Sequence, residues 1–347
     1  MKDFNVHSGS KPNRSKSRRP VKSVILAAIL LAVQSLSIAT AAPVKLSVAY
    51  STFSASQAPA WIAKDRGLFE KYGLDVQLLF IRSSSIGVPA LVSGAVPVAV
   101  MGGAAAVRAN LAGSDTVLVG SLKKTPSLTF LIANKKITRI EELKGKTIGV
   151  GRFGGSTDFV TRLALKRLGL DPEKDVVLRQ IGNTPDRTAA LQTGAIAATV
   201  LNPEEKYLAE KFGVNILYDL RKLGLEFLNS DIVTTRAFMK KDEEAFRNVM
   251  KALIEAIHFL RTDKKRSMES MAKYMRSEDP KVIEIGYDFV ADASDRIPYP
   301  SVKGIQLALD EIASELPAAR KADAARFYDD RMLQQLEKSG FVGGLYR

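Results

Sequence analysis

From residue 46 onward, short apolar runs alternate with stretches whose apolar residues recur every three or four positions. The first kind reads as buried strand and the second as amphipathic helix. The pattern predicts strands over 46–50, 74–81, 98–101 and 116–122, with helices over 58–69, 86–93 and 104–112 between them. It then predicts a strand over 147–150, a glycine turn over 151–155, a helix opening at Ser156, and a strand over 175–181. Strand and helix in alternation imply an α/β fold with a mainly parallel sheet covered on both faces.

The pattern is written twice. Residues 90–100 (ALVSGAVPVAV) align without a gap on 190–200 (ALQTGAIAATV), with five of eleven positions identical. At the same offset Phe53 and Ser56 fall on Phe153 and Ser156, Asp75 and Val76 on Asp175 and Val176, and Ile81 on Ile181. Two similar lobes follow, residues 43–125 and 126–229. After residue 225 the alternation stops. A strand over 230–235 leads to a helix over 242–261, capped by Asp242, with Phe246, Met250, Leu253, Ile257 and Leu260 on one face. Further helices are predicted near 265–276, 280–293, 301–315 and 322–338. This tail, 230–347, is expected to return to the first lobe, so the passages near 123–130 and 225–232 form a two-strand hinge.

Ligands of open α/β sheets bind beyond the carboxyl ends of the strands. The loops there are 51–56, 82–85 and 101–104 in the first lobe, and 151–158, 182–185 and 201–204 in the second. They are rich in hydroxyls and amides, with Arg82 and Arg152. A helix start with free N–H groups favours an anion, and Ser156 and Thr157 add hydroxyl donors. A small oxyanion such as a sulfonate or carboxylate fits better than a bare cation. An aromatic ligand stacked on Phe53, Phe153 or Trp61 is the other option. Residues 149–154 also spell G-x-G-x-x-G. The acidic residue that a dinucleotide site needs at the end of the next strand is missing, because that strand ends in Gly182 and Asn183.

Charge and composition narrow the classes. The formal charge is +14, but residues 1–41 carry +6 of it, from seven basic residues against Asp3. The rest is spread among acidic residues on polar helix faces, so nucleic acid is not an expected partner. There is no cysteine and there are two histidines, His7 and His258. Thiolate metal sites, disulfides, lipoprotein attachment and a Ser-His-Asp triad have almost nothing to be built from. No cofactor is expected. A basic arm, an apolar run over 24–38 containing Gln34, Ser35 and Ser37, and Ala39, Thr40 and Ala41 read as an export signal cleaved after Ala41 or Ala42. The mature protein is then periplasmic, soluble and expected to be a monomer.

The runs WIAKDRGLF (61–69), YGLDV (72–76), LVSG (91–94), LKGKTIGV (143–150) and ALQTG (190–194) resemble the nitrate/sulfonate/taurine-type substrate-binding proteins of ABC transporters. The superfamily includes binders of thiamine pyrimidine precursors. The resemblance implies a type II periplasmic-binding-protein fold, two lobes that shut on a small-molecule ligand, and an ABC permease as partner. It puts ligand contacts on Thr52, Phe53, Ser54, Ser83, Ser84, Gly103, Gly155, Ser156, Thr157, Asn183 and Asn202. Trp61 either walls the pocket or packs in the core. Thiamine-pyrimidine synthases of the same fold depend on a histidine and a cysteine cluster, which this chain lacks, so an enzyme is not expected.

Overall fold

The computed structural model describes residues 42–347; the predicted export signal lies outside them. Among the described residues ten strands form two five-stranded sheets. The strands are β1 (Val44–Tyr50), β2 (Leu74–Phe80), β3 (Val98–Met101), β4 (Thr116–Lys123), β5 (Phe130–Asn134), β6 (Thr147–Val150), β7 (Val177–Gln180), β8 (Ala198–Leu201), β9 (Val214–Asp219) and β10 (Ser230–Thr235). The first sheet runs β2-β1-β3-β10-β4 and the second β7-β6-β8-β5-β9. The chain therefore passes between the sheets twice, from β4 to β5 and from β9 to β10. Among the described residues, no helix is long and apolar enough to cross a membrane.

The repeat in the sequence is a repeat of register. In the first sheet Val48 lies opposite Leu78 and Val98; in the second Ile148 lies opposite Leu178 and Ala198. Each pairing recurs one hundred residues later. A one-residue slip would turn every side chain to the other face, so a shared register means the same faces are buried in both units. Four strands of each sheet run the same way and one runs against them, so the sheets are mainly parallel, as expected, with one reversed strand each. β10 runs antiparallel to β3 and β4, and β5 antiparallel to β8 and β9. These are the strands that arrive from the opposite sheet, and they enter from the other end.

The tail covers the first sheet. The helix Glu243–Thr262 is capped by Asp242, whose Oδ1 accepts from Ala245 N at 3.1 Å. Its stripe of Phe246, Val249, Met250, Leu253, Ile257 and Leu260 is buried in one cluster with Val48, Trp61 and Val100. Two predicted helices are broken. Gly67, at φ 67°, ends Ala58–Asp65 before Leu68–Lys71 begins, a left-handed turn that glycine adopts at little cost. The segment predicted over 322–338 becomes a turn at Ala324–Phe327 and a helix at Arg331–Lys338. Between them Tyr328 pairs with Leu118, and Asp329 N donates to Leu118 O at 2.9 Å, an added sheet contact that no local pattern announces.

One buried carboxylate sits at the junction of sheet and helix. Asp231 on β10 accepts from Gly103 N at 2.9 Å and from the Ser121 hydroxyl. Burial pushes its carboxyl from 3.8 up to about 7. A raised folded value means that the folded state holds the proton more tightly. The fold carries no penalty below the unfolded value and accrues it as pH rises from about 4 to about 7, on the order of 4 kcal/mol. Asp231→Asn keeps an acceptor for Gly103 and supplies a donor for Ser121. The expected result is a variant whose urea midpoint falls less than the wild type's between those pH values. Parallel profiles would contradict this.

Candidate functional site

The loops at the strand ends of both sheets enclose one cavity of ≈ 500 Å³. The first lobe contributes the loop after β1 (Ser51, Thr52, Phe53, Ser54, Ser56), Phe80 at the end of β2, and Arg82, Ser83 and Ser84 beyond it. The second contributes Gly151, Arg152, Ser156 and Thr157 after β6, Gly182 to Thr184 after β7, and Asn202, Glu204 and Glu205 after β8. The passages between the lobes add Ser127 and Asn229, and the tail adds Met275, Arg276 and Ser277.

The two sides meet closely. A Cβ built on Gly102 would lie 2.0 Å from Ser156 Oγ, and one on Gly155 would lie 2.6 Å from Ser83 Oγ. Glu204 Oε1, from the second lobe, accepts from Ser54 Oγ at 2.7 Å and from Ala55 N at 3.1 Å in the first. Ser83 holds φ at 77°, a sparsely populated conformation for a serine, kept by its surroundings at the cavity wall.

The glycine turn satisfies most of its own donors, contrary to the expectation of a free row of N–H groups. Gly151 N donates to Thr157 Oγ1 at 2.7 Å, Phe153 N to Gln180 Oε1 at 2.8 Å, and Gly154 N to Asp158 Oδ2 at 2.8 Å. Gly155 N donates to Arg152 O at 3.1 Å. The first helical N–H groups, at Ser156 and Thr157, are what the turn leaves over. Several other polar atoms of the cavity lining are buried without a partner among the described residues: Ser84 Oγ, Ser127 Oγ, Asn183 Oδ1, Asn202 Oδ1, Glu204 Oε2 and Asn229 Nδ2. Buried polar atoms are costly unless bonded, so such a concentration is the mark of a ligand site.

Four arginines line the cavity (Arg82, Arg152, Arg187, Arg276) against two glutamates. Arg187 is the buried one. Its guanidinium bonds Thr199 Oγ1, Gly182 O and Thr184 Oγ1, each at 3.1 Å, and Val200 O at 3.5 Å. These hydrogen-bond acceptors are all neutral, while the carboxylates of Glu205 and Asp186 favour the charge from farther off. Burial lowers its pKa from the usual value, yet a guanidinium stays protonated. Phe53 stacks on Phe80 with ring centroids 4.2 Å apart, and the Arg276 guanidinium lies 4.1 Å from the Phe53 centroid. One wall of the cavity is thus aromatic and another cationic.

A family profile described as "NMT1/THI5 like" matches residues 54–266. The chain belongs to that family. A protein of Bacillus subtilis (strain 168) named "Putative binding protein YtlA" is 25% identical to it over 245 residues, which cover 69% of this chain and 73% of the other. The NMT1/THI5-like chain also matches solved structures in fold. A protein of Bordetella bronchiseptica RB50 superposes with a TM-score of 0.74 at 21% identity, covering 85% of this chain and 98% of that one. The periplasmic aliphatic sulphonate binding protein SsuA from Escherichia coli superposes with a TM-score of 0.66 at 20% identity, covering 84% of this chain and 99% of that one. The fold of this family member is the generic periplasmic-binding-protein fold, as the resemblance implied.

Of the residues singled out in the sequence, Thr52, Phe53, Ser54, Ser83, Ser84, Ser156, Thr157, Asn183 and Asn202 line the cavity together. Trp61, Gly103 and Gly155 do not. Trp61 is fully buried against Tyr274 and Tyr50. Gly103 gives its N–H to Asp231, and Gly155 fills the seam beside Ser83. Phe153, offered as a stacking partner, is exposed. Arg187 and Arg276 went unread. Arg187 lies one helical turn past Asn183, a spacing that pointed to it. Arg276 ends the tail helix Lys264–Met275 in a left-handed conformation, and nothing in the tail signalled a return to the cleft.

Proposed function

We propose that the chain is an extracytoplasmic solute-binding protein that shuts on a small organic anion, sulfonate-like in its charged end, and delivers it to an ABC permease. The observation that carries this reading is Arg187, a buried cation bonded only to neutral acceptors in the wall of an interlobe cavity. The helix start at Ser156 adds partial positive charge and a hydroxyl. A cavity of ≈ 500 Å³ lies in the range of sites for whole organic ligands, so a bare inorganic oxyanion is too small to fill it. Binding acts through closure. Contacts from both lobes exist only in the shut form, so a ligand shifts the open–closed equilibrium by its differential affinity. The permease reads the shut form, and no chemical step is required. The stacked Phe53 and Phe80 favour a second reading of the ligand's body, as an aromatic or heteroaromatic ring.

Ser156→Ala tests the anion. Among the described residues Ser156 Oγ makes no hydrogen bond to protein, whereas Thr157 Oγ1 holds Gly151 in place, so Ser156 is the cleaner probe. A panel of alkane- and arylsulfonates, screened by thermal shift and titrated by calorimetry, is expected to yield a binder. Its affinity should fall about tenfold in Ser156→Ala, the value of one charge-assisted bond. Stabilisation by metal ions alone, or an unchanged affinity, would overturn the reading.

A further inference from the structure

Glu204 reaches out of its own lobe. It belongs to the first turn of the second-lobe helix Pro203–Glu210, yet its Oε1 accepts from Ser54 Oγ at 2.7 Å and Ala55 N at 3.1 Å in the first lobe. Those donors begin the helical segment that runs through Ala55–Gln57 into Ala58–Asp65. The side chain is 2% exposed, and its Oε2 has no partner among the described residues. Burial and the neighbouring Glu205 push its carboxyl up to about 7, although the buried Lys123 lies within reach of its charge. A buried carboxylate hydrogen-bonded to no cation is expensive.

The duplication explains the position. Each lobe follows its first strand with a hydroxyl-bearing loop and a helix start, and Ser56 corresponds to Ser156 one hundred residues on. Two such starts facing one cavity make two anion positions. On the second lobe the Ser156 hydroxyl faces the cavity. On the first, Glu204 takes the donors of Ser54 and Ala55, the two residues before Ser56.

Resting on the organic-anion reading above, the geometry points to Glu204 as the selectivity residue of the cleft. It fills the Ser54–Ala55 end of the cavity with the chain's own carboxylate and ties the lobes through it. The four arginines of the lining leave the rest of the cavity open to anions, so a ligand is rejected where a second anionic group must reach the Ser54–Ala55 end and meets Glu204 there.

The test uses two probes of one body, 1-naphthalenesulfonate and 1,5-naphthalenedisulfonate, titrated at pH 8 into wild type, Glu204→Gln and Glu204→Ala. The wild type is expected to prefer the monosulfonate at least about tenfold. Glu204→Ala should bring the two affinities to within about threefold, with Glu204→Gln between. A preference unchanged in Glu204→Ala overturns the selectivity role. Amide hydrogen exchange at Ala55, read without ligand, separates this from the organic-anion reading. Exchange should be at least about tenfold faster in Glu204→Ala and be slowed again by added acetate, which can occupy the vacated place. If no sulfonate binds but acetate rescues Ala55, the ligand reading fails and the tie between lobes stands. If Ala55 exchanges alike in wild type and Glu204→Ala, the tie fails.

Discussion

Trp61→Ala is expected to lower stability by about 3–5 kcal/mol and to leave ligand affinity of the folded protein nearly unchanged. The indole is 0% exposed. It stacks on Tyr274 with centroids 5.4 Å apart and meets Tyr50 edge-on at 5.8 Å. It thereby joins the helix Ala58–Asp65 to β1 and to the tail helix Lys264–Met275. Removing it opens a hole that three separately anchored elements can only partly close, and residual cavity volume makes such losses large. The indole Nε1 has no hydrogen-bond partner among the described residues. Trp61→Phe therefore breaks no bond and should cost less than about 2 kcal/mol. Urea denaturation of both variants, with calorimetric titration of the best sulfonate, checks this. A loss of affinity at intact stability would return Trp61 to the cavity wall.

That residue also shows what a sequence of this kind discloses. The strands at Val98–Met101 and Thr147–Val150 have the bounds that their apolar runs predict, because burial on both faces leaves an unbroken signal. β9 is half-exposed along its length and carries no such signal. The offset of one hundred residues carried more than local pattern. It fixed which strands correspond, and with them which loops face the cavity.

Loop side chains such as Ser83 and Asn202 were legible because position at a strand end implies the site. Their partners were not. Whether a carboxylate in such a loop meets ligand or the other lobe depends on closure. Glu204 bonds Ser54 across a separation of 150 residues, which no periodicity records. The glycine turn misled for the opposite reason. Its own neighbours Thr157 and Asp158 supply acceptors at four- and six-residue range, so the donors were engaged locally before any ligand could use them.

Gly102→Val is expected to hold the lobes apart and to reduce ligand affinity about a hundredfold, near 3 kcal/mol, without unfolding either lobe. Gly102 sits at φ −66° and ψ 121°, an extended conformation that valine adopts readily. The obstacle is across the seam. A Cβ there would lie 2.0 Å from Ser156 Oγ, 3.1 Å from Ser156 Cβ and 3.4 Å from Leu228 O. The hydroxyl could rotate away, but the Ser156 Cβ could not, and the valine methyls reach further. The shut form alone contains this clash, so its cost acts on the open–closed equilibrium and appears as lost affinity. X-ray scattering should report a larger radius of gyration for ligand-loaded Gly102→Val than for ligand-loaded wild type. Adding Ser156→Gly removes the obstructing side chain. The double variant should recover the compact form while its affinity rises only to that of Ser156→Ala, because the serine that blocks the wedge is also the proposed ligand contact. Equal affinity and equal radius in Gly102→Val and wild type would show that the lobes do not close along this seam.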